Sequence, residues 1–116
     1  MTALSDKKCR PCEGIGTAYN SSEAKKLMPQ IPGWQITADG KSIEKEFATK
    51  NFSAAVDFVN KIAAIAEDDD HHPDIHLTNY RKLKIVLSTH ALKGLTENDF
   101  IVAAKINEAP VQLKNS

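Results

Sequence analysis

A chain of 116 residues, 41% hydrophobic and 26% charged, is long enough for one core and too short for two. Its 15 Lys and Arg balance its 15 Asp and Glu, and this neutrality argues against a dedicated nucleic-acid binder, which would normally show a basic stripe. No apolar run approaches the ~20 residues of a membrane helix, and a single cytoplasmic domain with neither nucleic-acid nor membrane partners is expected.

Residues 1–20 lack periodicity and read as a flexible N-terminal arm. The arm holds both cysteines, in Cys9-Arg10-Pro11-Cys12. Redox dithiols and half zinc sites share that spacing, but there is no second pair and no strand-to-helix frame, so a functionally silent or occasionally oxidised tail pair is favoured. The folded domain is expected over 21–110, with a C-terminal tail over 111–116.

Ser21 or Ser22 can cap a first helix that stops near Met28, ahead of Pro29 and the Pro32-Gly33 turn. Trp34 to Thr37 alternates apolar and polar, Asp39-Gly40 supplies a turn, and Ile43 to Phe47 alternates again, which together predict a β-hairpin. From Phe52 to Glu67 the period becomes helical. Phe52, Ala55, Val56, Val59, Ala63 and Ala66 share a face that Phe58, Ile62 and Ile65 widen, as expected of a helix lying across a sheet.

Pro73 disfavours helix at His72, so this helix should end close to His71. Ile75 to Thr78 and Leu83 to His90 then read as two strands. The Thr78-Asn79 step before Tyr80 leaves their connection open between a bulge and a longer turn. In the second strand Leu83, Ile85, Leu87 and Thr89 point one way, and His90 projects from the opposite face. Gly94 turns the chain into a last helix. Thr96 can cap it, Asp99 completes a capping-box variant, Leu95 can staple onto Phe100, and the helix runs to about Ile106. The order α-β-β-α-β-β-α predicts an α+β two-layer sandwich, a four-stranded antiparallel sheet with helices packed on one face.

All four histidines, His71, His72, His76 and His90, fall within twenty residues. Imidazole titrates nearest neutrality and is the usual proton donor and acceptor in catalysis. His71 and His72 follow the acidic run Glu67-Asp68-Asp69-Asp70 on a loop held between two packed elements, a common place for catalytic groups. His76 reads as a surface or rim residue. A metal site is disfavoured: His72 and His76 have helical spacing, yet Pro73 interrupts any helix between them, and adjacent histidines diverge on extended backbone. Asp99 is favoured as a cap over a pocket residue, and Trp34 as core or pocket wall over a catalyst.

Asp70-His71-His72-Pro73, then Tyr80, the strand ending Leu87-Ser88-Thr89-His90, and Gly94-Leu95-Thr96-Glu97-Asn98-Asp99-Phe100 resemble pterin-4a-carbinolamine dehydratase, as does the Gly33-Trp34 segment. The resemblance runs from about residue 22 to 107, and the Cys9 to Cys12 leader looks like that of some bacterial members. It implies dehydration of 4a-hydroxytetrahydropterin to quinonoid dihydropterin, which recycles tetrahydropterin after an aromatic amino-acid hydroxylase has used it. No metal or organic cofactor is implied. By matching motif positions, His71 and His90 would transfer protons and His72 would mainly bind the pterin, with Asp70, Pro73 and Thr89 also in the site and Glu67, Asp99 and Trp34 supporting it. The family's homodimers and homotetramers are implied as well. So is an alternative role as a non-catalytic dimerisation cofactor of a transcription factor.

Overall fold

The computed structural model describes residues 3–11 and 16–114; Cys12 and the Gly14-Ile15 step lie outside them. Helix α1 spans Ser21–Leu27 and continues into a 3-10 turn at Met28–Gln30. Its cap is Asn20, one residue before the expected serines: the Asn20 side chain accepts from the Glu23 amide while Glu23 accepts from the Asn20 amide. This reciprocal pair satisfies two amides that the first turn leaves without partners, and a serine one position later could reach neither in the same way.

Strands β1 (Gln35–Ile36) and β2 (Ile43–Ala48) form the first hairpin, α2 spans Phe52–Asp69, β3 (Asp74–Thr78) and β4 (Lys82–Leu87) form the second, and α3 spans Glu97–Glu108. The four strands make one antiparallel sheet in the order β1-β2-β4-β3, as the alternation and short connections predict. Pairing of Thr78 with Lys82 leaves three residues in the β3–β4 connection, so it is the longer turn; Asn79 and Tyr80 both take positive φ there.

Ladder register collects the apolar residues on one face. Ile43 faces Leu87, Phe47 faces Leu83, and Ile75 faces Ile85. That face shares a core with Phe58 and Ile62 of α2 and with Phe100, Ile101 and Val102 of α3. Each such side chain contributes ~1.5–3 kcal/mol by leaving water. The opposite face carries ion pairs, Glu44 with Lys84 and Glu46 with Lys82, both at 3.8 Å.

The buried stripe of α2 is Ala55, Phe58, Ile62, Ala66 and Asp69, whereas Phe52 and Val56 remain 54% and 40% exposed. The expected stripe was centred one row too far round the helix, because apolar residues line both sides of its true midline.

The first residues do not behave as a loose arm where they are described. Leu4 is buried in the core, Lys7 pairs with Glu97 at 2.8 Å, and the Cys9 and Arg10 amides bond to side chains of α2 and α3. The C-terminal segment is held too: Lys50 N–H donates to Gln112 O and Lys114 N–H to Ala48 O, so residues 112–114 run beside Ala48–Lys50, where β2 ends. Among the described residues no helix is long and apolar enough to cross a membrane.

Candidate active site

The site begins where α2 stops. Asp70 takes the left-handed conformation with φ 50°, its N–H reaches Glu67 O, and the His71 N–H reaches back to Ala66 O. These two bonds close the helix in a Schellman motif, which reverses the chain and lifts His71 and His72 out of the helical path. Pro73 then starts the extended run into β3.

His71 is 9% exposed, and its Nε2 lies 2.7 Å from Asp99 Oδ1. Asp99 is fully buried at the third position of α3. Its other oxygen, Oδ2, accepts from the Thr96 amide and from the Thr89 hydroxyl, each at 2.9 Å. Since the Thr89 proton goes to Asp99, the Thr96 hydroxyl donates to Thr89 Oγ1 at 2.8 Å. Asp99 is therefore both the cap expected from the sequence and the partner of a histidine. As a carboxylate it can only accept, so the His71 ring donates from Nε2 and keeps Nδ1 for another partner.

Strand β4 ends at Leu87, three residues earlier than its alternation suggests, and His90 opens a 3-10 turn over His90–Leu92. The turn is pinned at its base by Thr89 and Gly94, whose amides bond each other's carbonyls. The register gives the reason: β2 begins at Ile43 opposite Leu87, so no ladder partner exists beyond it. His90 is exposed, and its side chain has no hydrogen-bond partner among the described residues. It stands one residue from Thr89, hence one residue from the Asp99 cluster.

His72 lies on the surface with Nε2 3.2 Å from Glu67 Oε2. Asp70 is exposed and Pro73 half-buried beside it. Trp34 stands apart: it is core, and its indole N–H donates to Asn107 Oδ1 at 3.0 Å. Asn107 is eight residues beyond Asp99 on α3, about 12 Å at 1.5 Å per residue. His76 is exposed on β3, as expected. Asp99 is thus buried against His71, whereas His72 and His90 are exposed. None of five surface cavities of about 220–440 Å³ is lined by a histidine. Among the described residues no group of three or more His, Cys, Asp or Glu could hold a metal ion.

Two residues of this neighbourhood escaped the sequence reading. Asp69 belongs to the acidic run but is buried; its Oδ1 accepts from the Cys9 amide and its Oδ2 pairs with Lys105 Nζ at 2.5 Å. Its position three residues after Ala66 on the buried row was the signal available. Asn98 is buried beside Asp99 and bonds the Arg10 backbone in both directions. Burial, followed by the negative Asp69, pushes the Cys9 thiol up to about 12, so it stays protonated near neutral pH.

Residues 17–109 match the family model described as pterin 4 alpha carbinolamine dehydratase, a stretch that includes all of His71, His72, His90 and Asp99. The chain belongs to the pterin-4-alpha-carbinolamine dehydratase family. That name denotes a hydro-lyase. A Legionella pneumophila (strain Corby) dehydratase-family protein is 48% identical over 106 residues, covering 90% of this chain and 93% of its own. The mitochondrial pterin-4-alpha-carbinolamine dehydratase 2 of Arabidopsis thaliana is 42% identical over 115 residues, 97% of this chain and 62% of that one. Among solved structures, the transcriptional coactivator/pterin dehydratase from Brucella melitensis superposes with a TM-score of 0.73 at 33% identity, covering 78% of this chain and 96% of the other. The dehydratase fold, a two-layer sandwich with a four-stranded antiparallel sheet, is the one seen here.

Proposed function

We propose that this chain removes water from 4a-hydroxytetrahydropterin to give quinonoid dihydropterin, using histidines as proton donor and acceptor and no cofactor. The observation that carries the reading is the His71–Asp99 pair at 2.7 Å, within a chain of the dehydratase family. In the reaction the C4a–O bond breaks, the departing hydroxyl takes a proton, and N5 of the ring gives one up, so two transfers balance as one water leaves. A His71 ring held through Nε2 has Nδ1 available for one transfer. His90, exposed on its pinned turn, is suited to the other. His72 with Glu67, together with Asp70 and Pro73, would form the margin against which the pterin lies.

The reading extends to a cytoplasmic homodimer or homotetramer whose substrate comes from an aromatic amino-acid hydroxylase. The exposed Phe52 and Val56 on α2 and the unpaired outer edge of β3 are surfaces through which copies could associate. The same surfaces favour a second reading, a binding module whose imidazoles are dispensable.

The test follows breakdown of 4a-hydroxytetrahydropterin by the native chain, His71→Ala and His90→Ala at equal folded concentration. Each substitution should slow turnover about a hundredfold. Equal rates for all three would refute the catalytic reading and leave the binding module.

A further inference from the structure

Both members of the His71–Asp99 pair have a near neighbour in the chain that is tied to one short stretch of backbone. Asp69, two residues before His71, accepts the Cys9 amide at 3.1 Å. Asn98, next to Asp99, accepts the Arg10 amide at 3.0 Å and donates to the Arg10 carbonyl at 2.7 Å. Pro11 biases Arg10 toward extended backbone, the conformation in which its N–H and C=O can meet a single carboxamide side by side.

We infer that the Cys9-Arg10 backbone is a clasp that sets the geometry of the His71–Asp99 pair, with Asp69 and Asn98 as its positioning residues. The inference rests on the catalytic reading for its effect on rate, though not for its effect on the imidazole. Asp69 is a buried carboxylate at a helix C-terminus, where both desolvation and the macrodipole disfavour it. Its partners answer that cost: Lys105 of α3 on one oxygen and the leader amide on the other. One side chain thereby joins leader, α2 and α3 immediately before the helix reverses into His71. Leu4 in the core anchors the leader upstream, and the leader half of the clasp, Cys9 and Arg10, lies outside the stretch 17–109 that matches the family model, while Asp69 and Asn98 lie within it.

The test uses Asn98→Ala, which removes both Arg10 bonds, and Asn98→Asp, which keeps an acceptor for the Arg10 amide, loses the donor to its carbonyl, and suits the first turn of a helix. Lys7→Ala, which breaks only the partly exposed pair with Glu97, is the control. Steady-state kinetics of the dehydration, a pH–rate profile and NMR of the His71 ring nitrogens are recorded on the folded full chain. Asn98→Ala should lower kcat about tenfold with KM within about twofold, shift the pH profile and move the His71 resonances; Asn98→Asp should do the same to a smaller degree, and Lys7→Ala should do neither. If Asn98→Ala does not fold, Asn98→Asp carries the test alone. Folded Asn98 variants with lowered melting temperature but native kcat, pH profile and His71 resonances would overturn the clasp. If the native chain has no dehydratase activity, the catalytic reading fails, and the His71 resonances still decide the clasp.

Discussion

Thr89 Oγ1 donates to Asp99 Oδ2 at 2.9 Å, and that bond ties the turn bearing His90 to the helix that holds His71 in place. Thr89→Val keeps the shape of the side chain and removes the hydroxyl that also accepts from Thr96. The variant should lose about 1–2 kcal/mol in a urea melt. It should also lower kcat, because His90 is then held only by its backbone; a kcat equal to that of the native chain would separate the turn from the chemistry.

Asp99→Asn offers one oxygen where the native residue has two. If that oxygen stays with Thr96 and Thr89, the amide NH2 meets His71 Nε2 and obliges the ring to accept there, which moves its proton to Nδ1. Turnover should fall about a hundredfold or more while the fold survives with a loss of about 1–3 kcal/mol. Kinetics paired with thermal unfolding check both halves.

Cys9 gives a dependence on alkaline pH. Below its ordinary value of 9.0 the thiol is protonated whether the chain is folded or not; between 9.0 and about 12 the unfolded chain has lost that proton while the folded one keeps it. Unfolding then releases a proton, so stability falls as pH rises through this window. The melting temperature of the native chain should decline there more steeply than that of Cys9→Ala. With Cys12 replaced by serine, alkylation of Cys9 at pH 8 should run at least about tenfold slower than that of an unstructured peptide thiol.

A Cβ at Gly94 would stand 2.9 Å from the Ala18 Cβ, closer than real side chains approach. Gly94→Ala must push apart the base of the His90 turn and the segment leading to α1, at about 1–3 kcal/mol. The double substitution with Ala18→Gly removes the opposing atom. It should recover most of the loss in a denaturant titration.

Element order was legible because each signal was local. Alternation marks β2 and β4, Thr96 and Asp99 form the expected capping box, and Pro73 marks the exit from α2. The HHP and TH segments marked the histidines, and the structure links His71 and Thr89 through Asp99. What stayed hidden depends on partners distant in sequence. Alternation runs on through Ser88 and His90, yet the strand stops where its ladder with β2 ends, at Leu87 opposite Ile43. The hold on the leader is hidden for another reason: most of its bonds run through the Cys9 and Arg10 backbone, which residue identity does not encode, and the Cys9 thiol adds only a weak one to the Asn98 carbonyl at 3.6 Å. The α2 stripe was misjudged because Phe52 and Val56 are apolar on a side that faces away from the core.

The Asp99 carboxylate divides its duties atom by atom: Oδ2 starts a helix, and Oδ1 serves an imidazole. A mutational screen that scores only abundance will therefore report this position as architectural, and, on the proposed mechanism, one that scores only turnover will report it as chemical. Telling these apart requires substitutions that spare one oxygen, since any truncation silences both at once.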